Sequence, residues 1–181
     1  MTATEAEIQR RTSRIVSSVL SIDEMLAELI GLSIEAVGCD ACLVYLLDRE
    51  QGELVLRASQ LLHRQEVGNL RLKLGEGITG WVAEHREPVA ISRGAWLDPR
   101  FRGFSSLQED TYEAFLSIPL INGGELTGIL NVHHQYAHRY TTEEIRLLIF
   151  VGEQIGGAIV RSQLHEELKN LRGTVAESAA L

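Results

Sequence analysis

Near the start of the chain, Ile8, Thr12, Ile15, Val16 and Val19 recur at spacings of three and four, with Arg10, Arg11, Arg14 and Ser17 between them. That period predicts an amphipathic helix. Ser21 followed by Glu24 is a capping-box pattern that opens a second helix, running through about Val37 and stopped at Gly38. Met25, Leu26, Leu29, Ile30, Leu32 and Ile34 give this helix a broad apolar face. The period then shortens. Cys42–Leu47 and Leu54–Ser59 read as a β-hairpin with its turn at Asp48–Gly52. A polar loop follows to Leu70, and Leu72–Gly77 leads into a short helix from Ile78 to about His85. Pro88–Ser92 is a brief strand with proline at its start, where no ladder donor is lost.

From Arg93 to Ala114 the pattern has no period but holds Trp96, Asp98-Pro99-Arg100-Phe101, Phe104 and Tyr112, an aromatic loop that a compact domain seldom keeps without a use. The strongest hairpin signal comes next: Phe115–Ile121, the turn Asn122-Gly123-Gly124-Glu125, then Leu126–His134. Thr141 is the expected N-cap of a long helix reaching about Arg172. It carries Leu148, Ile149, Gly152, Ile155, Gly156 and Ile159, then Leu164, Leu168, Leu171 and Val175 at heptad-like spacings. Helices at both ends of an antiparallel sheet predict one α+β domain.

The 181 residues are 45% hydrophobic and 23% charged, enough to bury a full core. A net charge of -8 offers no basic face for a phosphate backbone, so nucleic acid is not an expected partner. The apolar stretches Leu29–Leu32 and Ala114–Ile121 are far below the ~20 residues that span a bilayer, so no membrane association is expected. Met1–Glu7 lacks a basic segment ahead of an apolar one, and a cytoplasmic location is the expectation.

Cys39 and Cys42 sit at a redox-like spacing, yet Cys42 falls in an apolar strand, where a free thiol packs as a small hydrophobe. His133 and His134 are consecutive in a strand and point to opposite faces, while His63, His85, His138 and His165 show no ligand spacing, so no metal site is expected; no cofactor is identified, although a single axial His would suffice for haem. Gly75 and Gly77 form a tight turn that matches neither a phosphate-binding loop nor a dinucleotide fingerprint.

The ordered passages Ala41–Asp48, Leu74–Ala83, Glu87–Ile91, Asp98–Phe101, Ser117–Leu120 and Leu126–Val132 resemble the GAF domain family. The Tyr112–Leu116 segment looks most like the GAF domain at the start of nitrogen-branch phosphoenolpyruvate-protein phosphotransferases. The resemblance implies a GAF-like, PAS-related α+β fold. In it a six-stranded antiparallel sheet has terminal helices on one face and a pocket on the other, roofed by loops and short helices. It divides the chain into an N-terminal amphipathic helix (1–20), the GAF domain (21–160) and a C-terminal helical extension (161–181).

It also implies a non-catalytic sensory module in signal transduction that binds an unidentified small molecule and relays it to a downstream signalling protein. The candidate pocket residues are Trp81, Trp96, Asp98, Arg100, Phe101, Phe104, Phe115, Ser117, Asn131 and His133, with Thr127, Ile129, Asn131 and His133 on one strand face. A homodimer is expected through Ile8, Ile15, Val19, Gly152, Gly156, Leu164, Leu168 and Leu171. Cyclic-nucleotide-binding members often carry Asn-Lys; here Val132 follows Asn131, and the later acidic pair is Glu143-Glu144. Two alternatives stand beside this reading: a ligand-free structural or protein-interaction module, and a free methionine sulfoxide reductase. The reductases use cysteines in later loops, and none follows position 42 here.

Overall fold

A computed structural model describes residues 4–60, 66–103 and 111–179, the last seven as backbone only. Two helices open the fold, α1 (Glu5–Ser17) and α2 (Ile22–Val37). Ser21 caps α2 through the full reciprocal box with Glu24, worth about 1 kcal/mol, and Gly38 closes it in the left-handed region at φ 64°. Then come β1 (Ala41–Asp48), β2 (Glu53–Ser59), β3 (Arg71–Lys73), α3 (Gly77–His85) and β4 (Val89–Ile91). A 3-10 turn at Ala95–Leu97 precedes β5 (Ala114–Asn122), β6 (Glu125–His134) and the 38-residue α4 (Thr142–Ala179). Thr141 and Glu144 form a second capping box at the start of α4.

The strands form one antiparallel sheet in the order β3-β2-β1-β6-β5-β4. Because side chains alternate along a strand, β1 divides its apolar residues between two cores. Cys42, Val44 and Leu46 face α1, α2 and α4, together with Leu116, Ile118, Leu130 and Val132. Leu43 and Tyr45 face the other way, with Leu54, Leu56, Leu72, Ile129 and Phe115, and α3 covers them with Ile78 and Val82. The domain is thus three layers: helices, sheet, and a thinner layer of α3 with its flanking turns. The six-stranded sheet with helices on one face is the architecture that the GAF resemblance implies; α4 runs seven residues further than its apolar pattern indicated.

Several residues assigned to a dimer interface are used inside the protomer. Ile8 and Ile15 are buried in the helix-side core, because α1 packs on α2 and α4. Gly152 lets α4 lie close on the β5–β6 hairpin, since a methyl there would sit 2.4 Å from Leu120 Cδ2, and Gly156 faces the same hairpin, where a methyl would make ordinary contact 3.7 Å from Leu120 Cβ. Val19 is fully exposed, in the link after α1 rather than on it. Leu164, Leu168 and Leu171 remain on the surface.

Candidate functional site

On the face away from the terminal helices, a cavity lies between the sheet and α3. Leu43 and Tyr45 from β1, Asn131 and His133 from β6 and Phe115 from β5 form its floor. Register brings them together, since Leu43 pairs with Asn131 and Phe115 with His133. Gly77, Ile78 and Thr79 from the start of α3 form one wall, and Glu76, Phe101 and Arg102 form the mouth. Gly77 adopts φ 68°, and the place a side chain would take is already filled by Arg102 Cβ, 3.3 Å away. Close packing also fixes α3 itself: a methyl on Gly80 would fall 2.4 Å from the Lys73 carbonyl oxygen.

A buried chain of three polar groups ties the floor to that wall. Ser117 donates its hydroxyl to Asn131 Oδ1 at 2.7 Å, and Asn131 Nδ2 donates to Thr79 Oγ1 at 2.8 Å. Phe115 lies against the His133 ring, centroids 4.6 Å apart. At the mouth Glu76 and Arg102 form an ion pair, and Glu76 also accepts from the Lys73 backbone amide at 2.8 Å. The enclosed space is about 30 Å³, room for about one water, whereas small-ligand sites usually measure ~300–1,000 Å³.

Beside the mouth, Arg100 makes two hydrogen bonds to Asp98, Nε to Oδ1 at 2.9 Å and Nη2 to Oδ2 at 2.8 Å. The guanidinium holds the Asp98 carboxyl below its usual range. The same guanidinium sits 4.7 Å over the Trp81 ring, and Trp81 stacks on His85 at 4.0 Å. This stack clamps the 98–101 turn onto α3.

Of the candidate pocket residues, Phe101, Phe115, Asn131 and His133 line the cavity. Ser117 supports Asn131 from below, while Trp81, Asp98 and Arg100 form the clamp. Trp96 does not reach the cavity: only Ala95 of its turn points inward, and Trp96 is 43% exposed. Phe104 lies outside the described residues, as does His63. Thr127 is not on the cavity face. A bulge shifts the β5–β6 register at Leu120/Ile121, and Thr127 packs toward Gly156 with its hydroxyl buried and unbonded. Sequence reasoning missed Leu43, Tyr45, Leu72, Glu76, Gly77, Ile78, Thr79 and Arg102.

At the same end of β6, on the opposite face of the sheet, lies a second polar group. His134 faces the helices, accepts or donates at Nδ1 with the Tyr140 hydroxyl at 3.0 Å, and meets the Val37 carbonyl through Nε2 at 3.1 Å. Since a carbonyl only accepts, Nε2 carries the proton and Nδ1 accepts from Tyr140. His138 stacks on His134 at 3.9 Å and contacts Glu144 at 3.2 Å, while Asp40 is bonded to the Gln135 amide. Burial pushes His134 below its ordinary value of 6.5, and the neighbouring His138 adds to this; the Val37 carbonyl, Asp40 and Glu144 oppose it more weakly. The unfolded chain therefore takes up this proton first. Stability is expected to be level above about pH 6.5 and to decline as pH falls toward the lower folded value. Thermal melts of wild type and His134→Gln from pH 7.5 to 5 check this: the variant should lose part of the acid-side decline, and identical pH profiles would refute it. Glu144, half of the acidic pair compared with cyclic-nucleotide binders, is taken up by Thr141 and His138, on the side of the sheet away from the cavity.

Cys39 and Cys42 are both buried free thiols in the helix-side core, and burial pushes the Cys42 thiol well up. Among the described residues no three His, Cys, Asp or Glu side chains gather as metal ligands, and no helix is long and apolar enough to cross a membrane.

An antiparallel α+β sheet with helices on one face and a small lidded cavity on the other defines the class. The chain belongs to the GAF domain family, whose model matches residues 21–159. The GAF domain of a phosphoenolpyruvate-protein phosphotransferase from Coxiella burnetii is 32% identical, with a TM-score of 0.82 over 90% of this chain and 96% of that one. A phosphoenolpyruvate-dependent phosphotransferase system protein of Escherichia coli K12 is 29% identical over 149 residues, which are 82% of this chain and 20% of that protein. The Nif-specific regulatory protein of Herbaspirillum seropedicae is 28% identical over 172 residues, 88% of this chain and 31% of that protein. The chain thus spans a fifth to a third of the length of these two relatives.

Proposed function

We propose that this GAF domain is a non-catalytic regulatory module that takes a small polar metabolite into the α3-covered cavity and passes its occupancy to α4 and a downstream protein. The observation that carries the reading is the convergence of Tyr45, Asn131, His133 and the Glu76–Arg102 pair on one space between sheet and α3. The regulatory nature of a relative such as the Nif-specific protein supports it. A route to α4 exists. Arg86, the cap of α3, donates to the Gly124 carbonyl at 2.6 Å in the β5–β6 turn, and Asn122 of that turn abuts Gly157 of α4. A metabolite needs more than 30 Å³, so its entry opens the Glu76–Arg102 pair and moves the clamped 98–102 stretch outward.

A second reading, a ligand-free structural module, is favoured by the small volume and the closed Ser117–Asn131–Thr79 chain. Thiol-dependent reduction of oxidised methionine has little support, since both cysteines are buried across the sheet from the cavity. A thermal-shift screen of cyclic nucleotides, 2-oxoglutarate and amino acids separates the first two readings. A ligand at 100 times its Kd adds about 2.7 kcal/mol and raises Tm by several degrees. If no compound in these classes raises Tm, the structural module is the better account.

A further inference from the structure

We propose that a second groove, across the sheet from the α3 cavity, binds a small monocarboxylate with an apolar body. The groove holds about 370 Å³, within the ~300–1,000 Å³ usual for small-ligand sites and more than ten times the space in the α3 cavity. Leu46 of β1 and its cross-strand partner Val55 of β2 give it an apolar floor on the helix side of the sheet. Gln163 of α4 closes one side, four residues past Ile159, the last residue that α4 buries in the protomer core. A bulge in the β1–β2 ladder supplies the third feature. Val44 pairs with Ala58 and Tyr45 with Leu56, so Arg57 is the extra residue, and it lines the groove.

The charges select the ligand. Arg71, which also lines the groove, is taken up by Asp48 at 3.0 Å and Glu53 at 3.5 Å. Arg57 is not committed in this way. Among the described residues the one carboxylate within 4.0 Å of it is Asp23, 3.8 Å away and 86% exposed, which is beyond hydrogen-bond reach and a surface pair of little worth. Neither the Arg57 guanidinium nor the Gln163 amide makes a hydrogen bond among the described residues, although both side chains are half-buried. The groove thus offers one uncommitted positive charge, a planar fork that takes both oxygens of a carboxylate, an amide donor and an apolar floor. A phosphate dianion would find one free positive charge with the Asp48 carboxylate beside it, and a neutral molecule would leave the fork unfilled. A single negative charge on an aliphatic or aromatic body matches all of these groups. Such a ligand would join β2 to α4 where α4 leaves the domain, from the face opposite the cavity, and its binding does not depend on the sensing proposed there.

Amide NMR spectra of the isotope-labelled full chain, titrated with hexanoate and with benzoate, test this. Both acids should shift the amides of Val55, Arg57 and Gln163 saturably and leave those of Gly77 and Asn131 in place. Hexanamide, the same body without the charge, should bind roughly tenfold more weakly, and Arg57→Gln should weaken hexanoate binding by roughly the same factor. Gln163→Glu, which sets a carboxylate against the ligand, should weaken it at least as much. The comparison of acid with amide uses the wild-type chain alone, so it decides the matter even where a variant fails to fold. Four results overturn the proposal: no saturable shift up to the solubility of the acids, shifts confined to Gly77 and Asn131, equal binding of acid and amide, or a folded Arg57→Gln that binds like wild type. A leucine-ended peptide that binds through its terminal carboxylate more tightly than hexanoate would assign the groove to a protein tail, and that too overturns it.

Discussion

Gly128→Ala is expected to lower unfolding stability by about 3 kcal/mol, measured by urea denaturation. Gly128 lies on β6 opposite Leu46 of β1, and a methyl placed there would fall 2.1 Å from the Tyr45 carbonyl oxygen and 3.1 Å from Leu46 Cα. Both obstacles are backbone, at the centre of the sheet, so neither can rotate out of the way. The strands must separate, and β1–β6 is the joint that carries Leu43 and Asn131 into the cavity floor. Gly31→Ala is the control. Gly31 is inside α2 with nothing within 4 Å of a new methyl, so the change should be neutral or stabilising by up to ~1 kcal/mol. A Gly128→Ala protein within 0.5 kcal/mol of wild type, a margin typical of unremarkable surface changes, would show that the β1–β6 approach is looser than described.

Asn131→Ala should cost about 2–4 kcal/mol, because it strands two buried hydroxyls at once. Ser117 loses its acceptor and Thr79 its donor, in a place where Ser117 and Asn131 are almost wholly buried. The coupling is as telling as the size. Ser117→Ala alone should cost ~1 kcal/mol, but added to Asn131→Ala it should cost little or even recover stability, since the stranded hydroxyl is then gone. Fully additive losses would mean that Ser117 and Asn131 do not depend on one another, and the bridge from sheet to α3 would not be real. The same variant should blunt any ligand-induced rise in Tm, as Asn131 is both part of the cavity floor and the strut that ties it to α3.

The elements that could be read from the sequence are those written in local chemistry. Ser21 with Glu24, Thr141 with Glu144, and Asn122-Gly123-Gly124 each set a boundary through contacts within a few residues, and each boundary is where it was expected. β3 escaped because three residues, Arg71–Lys73, are too few to show a period. At the cavity, Phe101, Phe115, Asn131 and His133 were legible. Leu43 and Tyr45 were readable in principle, since strict alternation along Cys42–Leu46 places them on the face opposite Cys42, Val44 and Leu46.

Other parts were not local at all. The Glu76–Arg102 pair joins positions far apart in the chain, and Trp96 looked like a pocket wall only because an aromatic-rich stretch does not say which of its rings turn inward. Thr127 was placed on the wrong face by a single extra residue in the β5–β6 ladder, which inverts the parity of everything before it and leaves no mark in composition. Ile8, Ile15, Gly152 and Gly156 show the same limit from the other side. An apolar stripe or a pair of glycines announces close contact, but the sequence does not say whether the surface touched belongs to the same protomer.

α4 is one unbroken helix from its cap at Thr141 to Ala179, roughly 57 Å of rod at 1.5 Å per residue. Its first half is seated on the sheet at Gly152 and Gly156, and its second half leaves the domain carrying Leu164, Leu168 and Leu171. A helix resists bending and stretching but turns as a unit, so any twist imposed at the glycine seat reappears undiminished at the leucines. For the output role proposed for α4, the quantity that matters is a phase: each residue is about 100° of rotation, and the direction the leucines face is set by how α4 lies against Leu120.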